Sequence, residues 1–423
     1  MAKVRLIFAS ILLLFAVSCE RDGLDTTLTV GPYGEETRKV MLLYEAGFNS
    51  LGWEIAANIR ALKSGYLPEK GRNDDVLLVF SHLPSAGQKY SVETAPTLVR
   101  LYASHGEPRA DTLKVWPVGT PSAHASMVTE VFNLVKDLFP AAGYGAVMSS
   151  HATGWLPVDY YTNSKKYEDR NRGSYDWAPR RRSFGQEYYD SGTKTEEIEI
   201  KDLAAAIPYK LDYILFDACL MGTVEVAWEL RNVCSYLAVS PCEIPAAGFN
   251  YKTLADHLLK PLEPDLESAC RDFFDAYKDG MYGATITLVD CGALEPLASA
   301  CRTLFEKYRT GIRTLTGKNV QVYDRTLGNK GYYAFFDLKD MLREAGASAE
   351  DLSLLQRALD GAIVFEAHTD QFIQVVKLER CCGLSTYLPA YPDYRSDDWH
   401  GTKFLDDFYK NNLSWNQATV LVE

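Results

Sequence analysis

Several signals by which a function is often read are missing from this chain. Basic residues are outnumbered, 44 Lys and Arg against 56 Asp and Glu, for a formal net charge of −12. That balance argues against nucleic-acid binding, which needs a basic footprint. The seven histidines never fall at His-x-x-x-His spacing, and the nine cysteines include no Cys-x-x-Cys pair. No zinc site is visible on that pattern, so no metal or other cofactor is expected. Adjacent Cys381 and Cys382 are poorly placed to bridge each other, and Cys270 and Cys301 fall in apolar patterns of buried thiols, so no disulfide framework is called for. No internal repeat, low-complexity tract or dividing linker is evident. The N-terminal apolar run from Leu6 to Val17 is too short for a comfortable membrane span.

That run does have a signal-peptide layout: Lys3 and Arg5, the apolar stretch, then small Ser18 and Cys19. Ala16, Val17, Ser18 and Cys19 resemble the bacterial lipoprotein signal, in which cleavage before the Cys leaves it lipidated. The expectation is a signal peptide over 1–18, and a lipid anchor with a polar tether over 19–38. Membrane attachment through Cys19 would place the protein at the bacterial cell envelope, periplasmic or surface-exposed. Simple secretion with Cys19 incidental is the alternative.

From Lys39 onward, buried-strand runs alternate with amphipathic helices. "KVMLLY", "DDVLLVF", "YGAVMSS", "LDYILFD" and "SYLAVS" read as strands, and "WEIAANIRALKSGYL" and "ASMVTEVFNLVKDLF" as helices between them. "IEIKDLAAAIP", "AFFDLKDMLREAG" and "LSLLQRALDGAI" also read as helices, and "GLSTYLP" as a late strand. Continuous apolar strands alternating with helices predict an α/β fold whose mostly parallel sheet is covered on both faces. In such sheets the working residues gather at the carboxyl ends of the strands. His151 and Cys219 each lie just past such an end. His105 and Gly106, in "SHGEP", follow no buried strand and read as a surface turn. Between His151 and Cys219, residues 163–199 form a long polar stretch with Lys165, Lys166, Arg170, Arg172 and Arg180 to Arg182. Loops of this length inside a compact domain are functional or disordered.

A thiol beside an imidazole is an activated nucleophile, because the ring accepts the thiol proton and can return it to a leaving amine. One Cys and one His alone do not establish such a pair. The blocks around them, "VMSSHATGW" and "YILFDACLMGTVEVAWEL", resemble the two signature blocks of the clostripain family, cysteine peptidases of the caspase-like clan. The matching positions include Gly154 and Trp155 after the His, and Leu220, Met221, Gly222 and Glu225 after the Cys. "LLYEAGFNSL" with Asn49, the "RRSFG" segment, "YLAVSPCEIPAAGFNY" and "GLSTYLPAY" are similar to further family segments, so the likeness spans roughly residues 39–415.

The resemblance implies a caspase-like three-layer sandwich over 39–423 and a cysteine endopeptidase. It makes Cys219 the nucleophile and His151 the general base and acid, with backbone N–H groups of Ala152 and Cys219 at the oxyanion. It places Asp217 at the base of the pocket for the residue on the acyl side of the scissile bond (P1), where it would pair with Arg or Lys. The residues alone also allow Asp217 to cap the following helix. Two positions depart from the family: Ala152 stands where Gly is usual, and Ala247 where an Asp often adds charge to the pocket, with Glu243 nearby. An inactive envelope binding module that retains the fold, or a peptidase with non-basic P1 preference, are the corresponding alternatives. The family also implies self-cleavage in the 163–199 stretch, and calcium dependence in some members.

Overall fold

The computed structural model describes residues 38–70, 75–85, 92–158, 184–189, 194–315, 319–324, 333–389 and 400–423. The expected signal peptide, Cys19 and its tether lie outside these residues. So do Lys165, Lys166, Arg170, Arg172 and Arg180 to Arg182.

The apolar runs form the strands because each can be buried on both faces. β1 (Lys39–Ala46), helix α1 (Gly52–Lys63) and β2 (Val76–His82) make a parallel unit. β3 (Thr97–Ser104) and β4 (Glu107–Val115) follow as an antiparallel hairpin at the sheet edge. Its two-residue turn is His105 (φ 55°) and Gly106 (φ 78°), the surface turn read from the sequence. α2 (Ala125–Leu138) then carries the chain to the other side of β1, where β5 (Gly143–Ser149) pairs parallel with it. The hairpin β6 (Phe184–Tyr189) and β7 (Lys194–Ile198) stands off the sheet, and α3 (Ile200–Ala206) leads to β8 (Leu211–Asp217). α4 (Val224–Leu230), β9 (Cys234–Val239), α5 (Tyr251–Leu259), α6 (Leu266–Tyr277), β10 (Thr285–Asp290) and α7 (Leu294–Thr314) continue the alternation. The two-residue β11 (Phe336–Asp337), α8 (Leu338–Glu344), α9 (Ala349–Ala362) and β12 (Ile363–His368) complete the sheet side.

The nine-stranded sheet has the order β12-β10-β9-β8-β5-β1-β2-β3-β4. Its five central strands are parallel, and antiparallel pairings occur only toward the edges. Alternate residues separate the two cores. Val40, Leu42 and Tyr44 of β1 face α2, α3, α4 and α7, whereas Met41 and Leu43 face α5 and α6. That is the expected α/β arrangement of three layers.

Two sequence expectations change. Part of the 163–199 stretch is not loop, because Phe184 and Ile198 pair across the β6–β7 hairpin and are buried in the core. "GLSTYLP" contributes only Ser385–Thr386, which pair with β11 outside the main sheet. Among the described residues no helix is long and apolar enough to cross a membrane.

Candidate active site

Chain order reverses at β1: β2 lies on one side of it and β5 on the other, so the carboxyl ends of β1 and β5 open a crevice. The register across this point pairs Glu45 of β1 with Ser149 of β5, and Ser149 with Asp217 of β8. His151 and Cys219 each follow that row by two residues, on adjacent strands.

Cys219 sits on a strained turn. The next residue, Leu220, has φ 61°, a left-handed conformation that costs an L-residue roughly 1–2 kcal/mol. Backbone bonds hold it there: Leu220 N–H donates to the Cys242 carbonyl at 2.9 Å and Gly222 N–H to the Ser240 carbonyl at 2.8 Å. From the His151 side Gly154, itself at φ 59°, comes so close that a Cβ would lie 2.5 Å from the Leu220 carbonyl. Only glycine fits that approach. Trp155 beside it is fully buried against Tyr387 and Tyr409 and is a core aromatic.

The thiol of Cys219 is partly exposed, and Ile244 N–H donates to its Sγ at 3.4 Å, which fixes its direction. Cys242, Cys270 and Cys301 differ, being buried, which pushes each thiol above its ordinary range; Cys381 and Cys382 are partly exposed as Cys219 is, and desolvation raises them too, Cys381 to about 12. Buried thiols of this kind are inert packing.

His151 is 8% exposed, and its Nε2 lies 2.8 Å from Ser50 Oγ. Asn49 next to Ser50 ties the two strand ends together. Its Nδ2 donates to the Ala46 carbonyl at 3.0 Å and to Ser150 Oγ at 3.3 Å, and its Oδ1 accepts from Leu51 N–H. From the other side Gly185 N–H donates to the His151 carbonyl at 3.0 Å, within an antiparallel bridge between Ala152 and Phe184. Ala152 is buried and does not adopt a positive φ, so alanine carries no left-handed cost there.

Asp217 does not cap the following helix. Thr223 does, its Oγ1 accepting from Val226 N–H at 3.0 Å. The Asp217 carboxylate is instead buried at the crevice, where Tyr251 OH donates to Oδ2 at 2.5 Å and Phe249 N–H donates as well. Burial outweighs the opposing pull of those two donors and leaves its pKa raised to about 6. Gly248, at φ 65°, lies so close that a Cβ would sit 2.1 Å from Asp217 Oδ2. Glu243 is buried nearby in sequence, while Ala247 is exposed.

Ser50, Tyr251 and Glu45 escaped the sequence reading. For Glu45 a signal was present. "KVMLLYE" ends a buried run on an acid just as "YILFD" does.

A profile of the Clostripain family matches residues 118–417. No curated protein matches the chain. Among solved structures, an inactive zymogen protease of that family from Parabacteroides distasonis is 26% identical, with a TM-score of 0.71 over 91% of this chain and 98% of that one. A secreted cysteine protease from Bacteroides thetaiotaomicron, in complex with an irreversible peptide inhibitor, is 23% identical, with a TM-score of 0.69 over 90% of this chain and 99% of that one. The profile covers most of the chain, including the ends of β5 and β8, which His151 and Cys219 follow. The chain therefore belongs to the clostripain family: it is a cysteine peptidase, a hydrolase of caspase-like α/β fold.

Proposed function

We propose that the protein is an endopeptidase in which Cys219 and His151 form the catalytic dyad and Asp217 selects Arg or Lys at P1. The observation that supports this reading is the register of β5 and β8, which pairs Ser149 with Asp217, two residues before His151 and Cys219 respectively. In the tautomer with its proton on Nε2, His151 donates to Ser50, and Nδ1 is the basic nitrogen. That nitrogen takes the proton of Cys219 as Sγ attacks the peptide carbonyl, and the resulting imidazolium protonates the leaving amine. Water then hydrolyses the acyl-thioester with His151 as base. The N–H groups of Cys219 and Ala152 hold the oxyanion. The hydrogen bond of the Ala152 bridge runs to the His151 carbonyl, so it makes no demand on the Ala152 N–H.

A buried carboxylate favours a cationic partner, because a neutral side chain leaves it unpaired. Asp217, with an opening that leaves it 7% exposed, meets that description. Export through the 1–18 signal and lipidation of Cys19 belong to the same proposal, as does cleavage after a basic residue in the 163–199 stretch. The similar Parabacteroides protease is a zymogen, which fits activation by such a cut.

The test is hydrolysis of fluorogenic peptides with Arg, Lys, Ala or Asp at P1 by the chain from residue 20 onward, beside Cys219→Ala, with intact masses recorded. We expect hydrolysis after Arg and Lys, loss of it in Cys219→Ala, and two fragments from the wild type only. The preference should fade as pH falls through about 6, since protonated Asp217 carries no charge and kcat/KM reports the free enzyme. Hydrolysis that survives Cys219→Ala would refute the dyad. Cleavage only after Ala would remove the role of Asp217, and no hydrolysis at all would point to a binding protein.

A further inference from the structure

We infer that Glu45 is a second acid of the P1 pocket, acting with Asp217 to select a substrate cation. The inference rests on the basic-P1 reading of the site and names a residue no family position supplied.

Glu45 ends β1 as Asp217 ends β8, and both lie in one row across the sheet with Ser149 between them. The three side chains share the face that carries Met41, Leu43, Val147, Tyr213 and Leu215, since alternate residues of a strand point the same way. Two strand spacings, about 10 Å between Cα atoms, separate the two acids. The residue between them is a serine, and Gly248 packs against Asp217 with no side chain of its own. Within the strand row only that serine stands between the two acids. The buried Tyr251 of α5 lies near both, and its hydroxyl donates a hydrogen bond to Asp217.

What marks Glu45 is the absence of a partner. It is 0% exposed, and neither carboxyl oxygen meets a hydrogen-bond donor among the described residues. Ser149 is close enough to favour the ionised form, but not at hydrogen-bond geometry. An ionised, unpaired carboxylate at such a site is strongly disfavoured. The empty site avoids that cost by keeping Glu45 protonated, and burial, then the charge of Asp217, raises its pKa well above the carboxylate range. Two residues earlier on the same face the chain uses Leu43 and Met41, which cost nothing to bury. An acid in that sequence of positions conflicts with the core and agrees with a ligand.

The ligand is a long side chain ending in a cation. Arg brings five N–H donors and Lys three, and the row offers the unpaired oxygens of Glu45 and the remaining acceptor sites of Asp217. As the cation enters, the Glu45 proton leaves to bulk water and a carboxylate faces the charge. Ala247 stands where the family often carries an acid; Glu45, at the end of β1, supplies the missing charge.

The test uses irreversible peptidyl acyloxymethyl ketones that differ only in Lys, Arg or Ala at P1. Labelling rates are followed by mass spectrometry for wild type, Glu45→Gln and Asp217→Asn. Glu45→Gln removes the ionisable group but keeps the shape, and Glu45→Met serves if the Gln variant does not fold. The expected result is a Lys-to-Ala and Arg-to-Ala rate ratio lowered about tenfold or more by either Glu45 variant, a loss of about 1.4 kcal/mol of selectivity. A ratio unchanged in Glu45→Gln but lowered in Asp217→Asn overturns the role of Glu45 and leaves the pocket reading in place. A wild type that labels no faster with Lys or Arg than with Ala, or with no probe at all, overturns both.

Discussion

At the level of single residues, the proposed mechanism depends on which ring nitrogen of His151 is the basic one. Ser50 Oγ is 2.8 Å from Nε2; in the proposed mechanism Nε2–H donates to Ser50, which leaves Nδ1 as the basic nitrogen. Ser50 is a positioning residue in this account, since it acts through His151. Ser50→Ala should lower kcat about tenfold or more with KM little changed, because the imidazole then samples unproductive orientations. Ser50→Thr, which keeps the hydroxyl, should recover most of that loss. Steady-state kinetics on an Arg or Lys peptide checks it, and equal changes in kcat for the Ala and Thr variants would contradict it. The two signature blocks single out Cys219, His151 and Asp217 in the sequence. Ser50 was not, although Asn49 beside it was singled out: a serine after an asparagine has no distinctive chemistry until the fold sets it 2.8 Å from a histidine 101 positions away.

Among the elements, the β6–β7 hairpin links the basic stretch to the catalytic strand. Gly185 N–H bonds the His151 carbonyl, and Glu187 two residues on anchors the hairpin in the core. Glu187 accepts from Ser122 N–H and Ala123 N–H at 3.0 Å each, and its Oε1 is 2.5 Å from His82 Nδ1. The other ring nitrogen of His82 lies 2.9 Å from Glu93, and Phe48 stacks on the ring. Burial alone would raise the Glu187 carboxyl, but the bonds from His82 and Ser122 outweigh it and hold it below the usual range. Its stability contribution is therefore present above the usual glutamate value and lost as pH falls through the lower folded value.

Breaking a buried pair of this kind costs about 3–5 kcal/mol. Glu187→Gln should lower Tm accordingly and reduce activity with it, because β6 no longer fixes the His151 backbone. Differential scanning calorimetry with a parallel rate measurement would show this; an unchanged Tm would contradict the anchor. The sequence could not display this device. "FGQEYY" and "KTEEI" are polar, so no apolar period announces a strand, and the partners that bury Glu187 come from residues 82, 122 and 123. The central strands were legible for the opposite reason. Being buried on both faces, they have to be apolar throughout.

Over the whole molecule, the sheet order explains why so distant residues meet. Reversal at β1 brings the ends of β1, β5 and β8 side by side, and each contributes a short polar sequence after a buried run. Glu45, Asn49 and Ser50 come from the first, His151 from the second, and Asp217 and Cys219 from the third. The alternation of strands and helices was enough to predict the sheet and the end of it that works. It could not give the order of strands, on which the neighbourhood of Glu45 and Asp217 depends, because crossover lengths allow either side of β1.

The central claim is that Cys219, activated by His151, is the nucleophile. Its most direct test is to treat the chain from residue 20 onward with a Lys-P1 acyloxymethyl ketone and map the modified residue by peptide mass spectrometry. The account predicts a single modified thiol at Cys219, no modification in Cys219→Ala, and labelling slowed about a hundredfold or more in His151→Ala. Modification at another cysteine, or labelling that proceeds equally without His151, would contradict it.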